Sequence, residues 1–136
     1  GGELRMRGHN AARKPWSIAI EKPEVASRVV QSVIQVTDRG MATSGDYRNF
    51  FEHDGVRYSH TIDPETGRPV THDAAAVTVI RDTAAEADAL ATALLVMGPD
   101  EGLAFAQSGD IAAYFLLRDD PDVKVQMTPG FKALAN

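Results

Sequence analysis

Residues 75–118 read AAVTVIRDTAAEADALATALLVMGPDEGLAFAQSGDIAAYFLLR, and their punctuation decides the class of fold. Residues 75–81 are rich in β-branched side chains, which pack well on a pleated surface, and they predict a strand. Thr83-Ala84-Ala85-Glu86 follows as a capping box. The Thr83 hydroxyl can accept from the third backbone N–H while Glu86 reaches back. An Ala- and Leu-rich helix is expected over residues 84–97, stopped by Gly98-Pro99. Pro99 suits the first turn of a second helix, residues 100–107, which Ser108-Gly109 ends. Residues 111–118 return as a strand. Two helices inserted together between strands argue for an α+β fold with an antiparallel-rich sheet, against an alternating parallel α/β fold.

The flanks extend the same pattern. Downstream, a polar turn at 119–122 leads to a strand at 123–128 and a short terminal helix at 131–134. Upstream, residues 16–21 (WSIAIE) alternate between Pro15 and Pro23, and residues 28–37 (RVVQSVIQVT) read as a longer strand. Residues 2–7 alternate weakly and read as a strand, and 41–44 continue an extended path to Gly45. Asp54-Gly55 stands between the extended runs 48–53 and 56–60, a strong hairpin signal because a type I′ turn needs two positive φ angles. Asp63-Pro64 and Thr66-Gly67-Arg68-Pro69 read as a turn. No internal repeat interrupts the 136 residues, which fit one domain.

Composition narrows the function. The chain is 43% hydrophobic, enough for a core, and its formal net charge is −5. No stretch concentrates Lys or Arg, which argues against a nucleic-acid partner. The absence of Cys removes disulfides, thiolate metal sites and cysteine nucleophiles. The opening Gly1-Gly2-Glu3-Leu4-Arg5 lacks the apolar core of a signal peptide. The most apolar stretch, residues 89–97, is short of a membrane span.

Three places can carry chemistry. Asp88 and Thr92 lie four apart on the expected helix, so their oxygens share one face. Their neighbours are nearly all apolar, which predicts a helix buried on most sides and a carboxylate in need of a cation. A hard ion such as Mg²⁺ suits a carboxylate and a hydroxyl. The simpler account, Asp88 paired with an Arg or capping a nearby loop and Thr92 bonded to the carbonyl one turn back, is favoured by spacing alone. His60, at a strand end before a tight turn, has the right ordinary pKa for a general base, or is an exposed hairpin histidine. Ser44-Gly45-Asp46 is a polar loop whose glycine lets a ligand approach the backbone.

Taken together, these stretches resemble the ApbE family of flavin transferases. The resemblance is carried by Gly1-Gly2-Glu3, Pro15-Trp16-Ser17-Ile18-Ala19-Ile20, Thr43-Ser44-Gly45-Asp46-Tyr47-Arg48-Asn49, Tyr58-Ser59-His60-Thr61-Ile62-Asp63-Pro64-Glu65-Thr66-Gly67-Arg68-Pro69 and Glu86-Ala87-Asp88-Ala89-Leu90-Ala91-Thr92, in order and in register. It implies the C-terminal portion of an ApbE-like, T-fold-like domain across residues 1–136, with the N-terminal half absent. It implies Mg²⁺-dependent transfer of FMN from FAD to a Thr or Ser hydroxyl of an acceptor protein, releasing AMP, with this portion alone inactive. By the same resemblance His60 is the catalytic base, Asp88 and Thr92 are metal ligands, and Ile62 and Ser44 contact the flavin substrate. The implied acceptor is a subunit of an ion-pumping redox complex, and the implied setting is a periplasmic lipoprotein anchored to the membrane. Two other activities fit the same residues: an FAD pyrophosphatase giving FMN and AMP, and a flavin-binding protein without turnover.

Overall fold

The computed structural model describes residues 2–23, 29–46, 50–119 and 121–135. In chain order the strands are β1 (Leu4–Arg5), β2 (Trp16–Glu21), β3 (Val30–Val36), β4 (Gly40–Gly45), β5 (Phe50–His53), β6 (Val56–Ser59), β7 (Ile62–Asp63), β8 (Arg68–Pro69) and β9 (Ala74–Arg81). Helix α1 (Ala84–Ser108) follows, then β10 (Ala112–Asp119), β11 (Asp122–Met127) and α2 (Pro129–Leu134). The expected α+β class is what forms. The expected strand starts at Arg28 and Arg48 lie outside the described residues, as do Gly1, Tyr47, Asn49 and Asp120 of the quoted motifs and turn.

The main sheet runs β1-β4-β9-β10-β11, each neighbour antiparallel. Strand β9 is its middle, and its first seven residues are buried. A strand with both faces covered carries a continuous apolar run rather than an alternating one, which is why AAAVTVI suits the centre. One face of β9 gives Val77 and Val79 to a core with Ala87, Ala91, Leu94 and Leu95 of α1 and Phe115 of β10. The other face gives Ala76 and Ile80 to a second core with Ile20 and Ile34 of the β2–β3 ribbon and Phe131 of α2. The molecule is therefore three layers: helix, sheet, then ribbon with the terminal helix. Each fully buried Leu or Phe contributes on the order of 2 kcal/mol of apolar transfer.

The capping box forms in part. Thr83 Oγ1 accepts from the Glu86 N–H at 3.1 Å, but the Glu86 carboxylate accepts from the Thr83 hydroxyl at 2.9 Å instead of reaching the backbone. The two expected helices join end to end as α1, with a break at Gly98, whose φ of 80° and ψ of −179° are not helical. Pro99, which has no N–H to give, opens the second half. By length and composition α1 is long and apolar enough to cross a membrane. Here it is broken at Gly98 and sets Leu94 and Leu95 into the sheet core.

Hairpin β5–β6 turns on Asp54 and Gly55 with φ of 50° and 74°, as a type I′ turn requires. Two readings are corrected. Strand β1 is two residues long rather than six, because only Leu4 and Arg5 find register partners, Met41 and Gly40. The Asp63–Pro69 turn is a small hairpin, with Ile62 opposite Pro69 and Asp63 opposite Arg68.

Candidate active site

Strand register brings Ser44 to α1. Ser44 lies opposite Val77, on the sheet face that the helix covers. Its Oγ is 2.9 Å from Thr92 Oγ1, which replaces the expected bond from Thr92 to the carbonyl one turn back. Asp88 sits one turn before Thr92 on the same side of α1. Both residues are exposed, which overturns the expectation of a buried carboxylate. Helix α1 buries a narrow stripe, Ala87, Ala91, Leu94, Leu95 and Ala106, and leaves Ala85, Asp88, Ala89 and Thr92 to solvent. Alanine is small enough to lie on either side, so the composition overstated the width of the buried face. No ion pair to Asp88 forms among the described residues, so the simpler Asp88–Arg account also fails.

Hairpin β7–β8 faces the same helix. With α1 it borders an open cleft of about 900 Å³, lined by Ile62, Ala93 and Met97 together with Glu65, Arg68 and Glu101 among others. Ile62 is half exposed at its mouth. The hairpin is held by its own turn: Asp63 accepts from the Glu65 N–H at 2.9 Å and from the Thr66 hydroxyl at 3.0 Å. Those donors, the Glu65 amide first, hold the Asp63 carboxyl below the usual carboxylate range. His60 lies on the exposed link between β6 and β7, two residues before Ile62. Of the five residues singled out from sequence, Ser44, Thr92 and Asp88 thus form one group and Ile62 opens onto the adjoining cavity. His60 is tied to the group through the chain.

Asp88 and Thr92 offer two hard oxygens on one helix face, the donor type that Mg²⁺ takes. They fit as part of a site: no group of three His, Asp or Glu side chains that could hold a metal exists among the described residues.

Sequence reasoning passed over a cluster beside this group. Asp46, next after Gly45, is 6% exposed. Its carboxylate forms an ion pair with Arg118 of β10, and Arg57 of β6 lies 4.0 Å from the same oxygen. Arg57 also donates to the Asp46 carbonyl at 2.9 Å and lies over the Phe50 ring at 3.8 Å. The charges are 11 and 72 residues apart, so no local spacing advertised them.

The family model described as "ApbE family" matches residues 1–115. The chain belongs to the ApbE family. A Vibrio cholerae relative named FAD:protein FMN transferase is 48% identical over 132 residues, 97% of this chain and 40% of that protein. An Escherichia coli K12 relative of the same name is 44% identical over 133 residues, 98% of this chain and 38% of that protein. The solved ApbE flavin transferase of Vibrio cholerae superposes with a TM-score of 0.84 at 46% identity, over 98% of this chain and 42% of that one. An apo flavinyl transferase ApbE of Pseudomonas stutzeri gives a TM-score of 0.83 at 47% identity, over 98% of this chain and 41% of that one. The chain thus spans about two fifths of the length of these ApbE relatives.

Proposed function

We propose that this chain is part of an enzyme that moves FMN from FAD to a Thr or Ser hydroxyl of an acceptor protein and releases AMP. The observation that carries the reading is the contact of Ser44 with Thr92 at 2.9 Å, one turn from exposed Asp88 and beside the cavity that Ile62 opens onto. The names of the ApbE relatives support the same transfer.

Each residue then has a task. Ile62 and the cleft it lines take the flavin end of FAD, and Ser44 offers its hydroxyl next to Thr92 on α1. His60 accepts the proton of the acceptor hydroxyl as that oxygen bonds to the FMN phosphorus and the bond to the AMP phosphate breaks. A positioned base of this kind contributes roughly 10²–10⁴-fold. Asp88 and Thr92 would hold Mg²⁺, which when bound offsets the charge of the pyrophosphate. Two oxygens fall short of the roughly six such an ion takes; FAD phosphate oxygens and water would complete the set. The chain spans about two fifths of its relatives' length, and alone it is expected to be inactive. By family resemblance the acceptor is a subunit of an ion-pumping redox complex and the setting a periplasmic, lipid-anchored protein, which cell fractionation would check.

The test uses the whole protein with FAD, Mg²⁺ and an acceptor, and reads covalent flavin fluorescence on the acceptor. The parent should label it and His60→Ala should fall at least 100-fold, within the range for loss of a general base. Equal labelling by both sinks the assigned base. Release of free FMN and AMP without labelling would replace transfer by hydrolysis.

A further inference from the structure

We propose that Arg57, anchored on Asp46, is a positioning residue that sets His60 relative to the Ser44–Thr92 pair. The proposal rests on the function just given. Three observations carry it, none of them involving a ligand.

First, Asp46 is fixed on three sides. Its N–H donates to the Ala75 carbonyl of β9 at 3.2 Å, its carboxylate meets Arg118 of β10, and its carbonyl accepts from Arg57 of β6 at 2.9 Å. Arg118 is itself held, donating its backbone N–H to the Asp73 carbonyl at 2.9 Å. A buried carboxylate with cations on two sides is a rigid anchor point, since each group would lose its partner on moving.

Second, the anchor lies two residues beyond Ser44, whose hydroxyl meets Thr92. Asp46 follows directly on β4, so a shift of it passes along the backbone to Ser44.

Third, the backbone at His60 is restrained relative to Arg57. Ser59 is 3% exposed, and its hydroxyl accepts from the Thr61 N–H at 3.1 Å, so the backbone of His60 lies inside a tight side-chain turn. The Thr61 carbonyl in turn accepts from the Val70 N–H at 3.1 Å. The orientation of this turn follows the orientation of β6. Arg57, two residues before Ser59, joins β6 to Asp46 and stacks on Phe50 of the paired strand. A continuous path therefore runs Thr92, Ser44, Asp46, Arg57, Ser59, His60. An arginine suits this junction because one fork can grip a carbonyl while its plane lies on a ring.

The experiment uses Arg57→Gln and Arg57→Lys in the whole protein. Arg57→Gln should lower kcat for acceptor labelling at least tenfold while the KM for FAD stays within threefold, with melting temperature near that of the parent. Arg57→Lys, which keeps one donor for the Asp46 carbonyl, should recover at least a third of the parental kcat. In a His60→Ala background Arg57→Gln should have no further effect, because it acts through that ring. An unchanged kcat in Arg57→Gln, or a loss that persists in the His60→Ala background, overturns the proposal. A transferase-independent readout separates the two readings. In this chain, Arg57→Gln should shift the ring Cε1–H resonance of His60 and leave that of His72 in place. If His60→Ala labels the acceptor as well as the parent does, the base assignment fails, and the resonance alone decides whether Arg57 positions the ring. No movement there overturns the proposal whatever the activity.

Discussion

Replacing Gly40 by alanine puts a methyl group where the helix begins. An ideal Cβ there would lie 2.2 Å from the Thr83 carbonyl carbon, 2.3 Å from the Ala84 nitrogen and 2.4 Å from the Thr83 oxygen. All three are backbone atoms, so no side chain can rotate out of the way. Restoring ordinary carbon–carbon contact at about 3.5 Å requires the start of α1 to retreat from β4 by roughly 1.3 Å. Overpacking of this kind costs about 1–3 kcal/mol. Disturbing the Thr83 cap, which holds the Glu86 N–H, adds about 1 kcal/mol. The sum is about 3 kcal/mol, which for a chain of 136 residues lowers the melting temperature by roughly 10 °C. Thermal and urea unfolding followed by far-UV circular dichroism measures it, with Gly8→Ala as the comparison. Gly8 has φ of 60° and nothing within 4 Å of its would-be Cβ, so it isolates backbone strain of about 1–2 kcal/mol. A Gly40→Ala loss below 1 kcal/mol, or below that of Gly8→Ala, refutes the claim that β4 and the helix start are in contact at the backbone.

Two further outcomes follow from the site. Asp88 is exposed and unpaired among the described residues, so Asp88→Ala should change unfolding free energy by no more than about 0.5 kcal/mol. The same substitution in the whole protein should remove the Mg²⁺ dependence of labelling, and a titration with the curve of the parent would reject the ligand role. Asp63 has its folded-state pKa lowered, so its contribution is present above the ordinary value of 3.8 and fades as pH falls below it. Asp63→Asn should therefore flatten the acid side of the stability profile below about pH 4. Carboxyl resonances of the parent that place Asp63 at or above 3.8 would contradict the bonding described in the hairpin.

The strands announced themselves where the physics is local. β-Branched runs marked β3 and β9, Asp54-Gly55 marked the β5–β6 turn, and Thr83 with Gly98-Pro99 marked the ends of the first half of α1. Sheet order was hidden, because placing β9 between β4 and β10 depends on two buried faces that become visible only in three dimensions. The face of α1 was misjudged for a related reason: Ala85 and Ala89 look like core residues in a list and lie outside in space. Motifs placed Ser44, His60, Ile62, Asp88 and Thr92 among the candidates, but not the contact of Ser44 with Thr92 across 48 residues. Asp46 was quoted within a motif and passed over, since its partners Arg57 and Arg118 lie in unrelated stretches.

The central strand has a consequence outside the folded state. Residues 74–80, AAAVTVI, carry no charge, no Pro and no Gly, and their second half, VTVI, has high β-propensity, a composition that favours cross-β stacking. Inside the sheet, β4 and β10 occupy both of its edges and two cores cover both of its faces. Before those layers assemble, the same segment is an adhesive strip, and copies of it on separate chains can pair with each other. Asp73 on one side and Arg81-Asp82 on the other are the charges that interrupt such stacking. Folding of this chain is thus a race between β4 with β10 and a second copy of β9, and dilution favours the native partners.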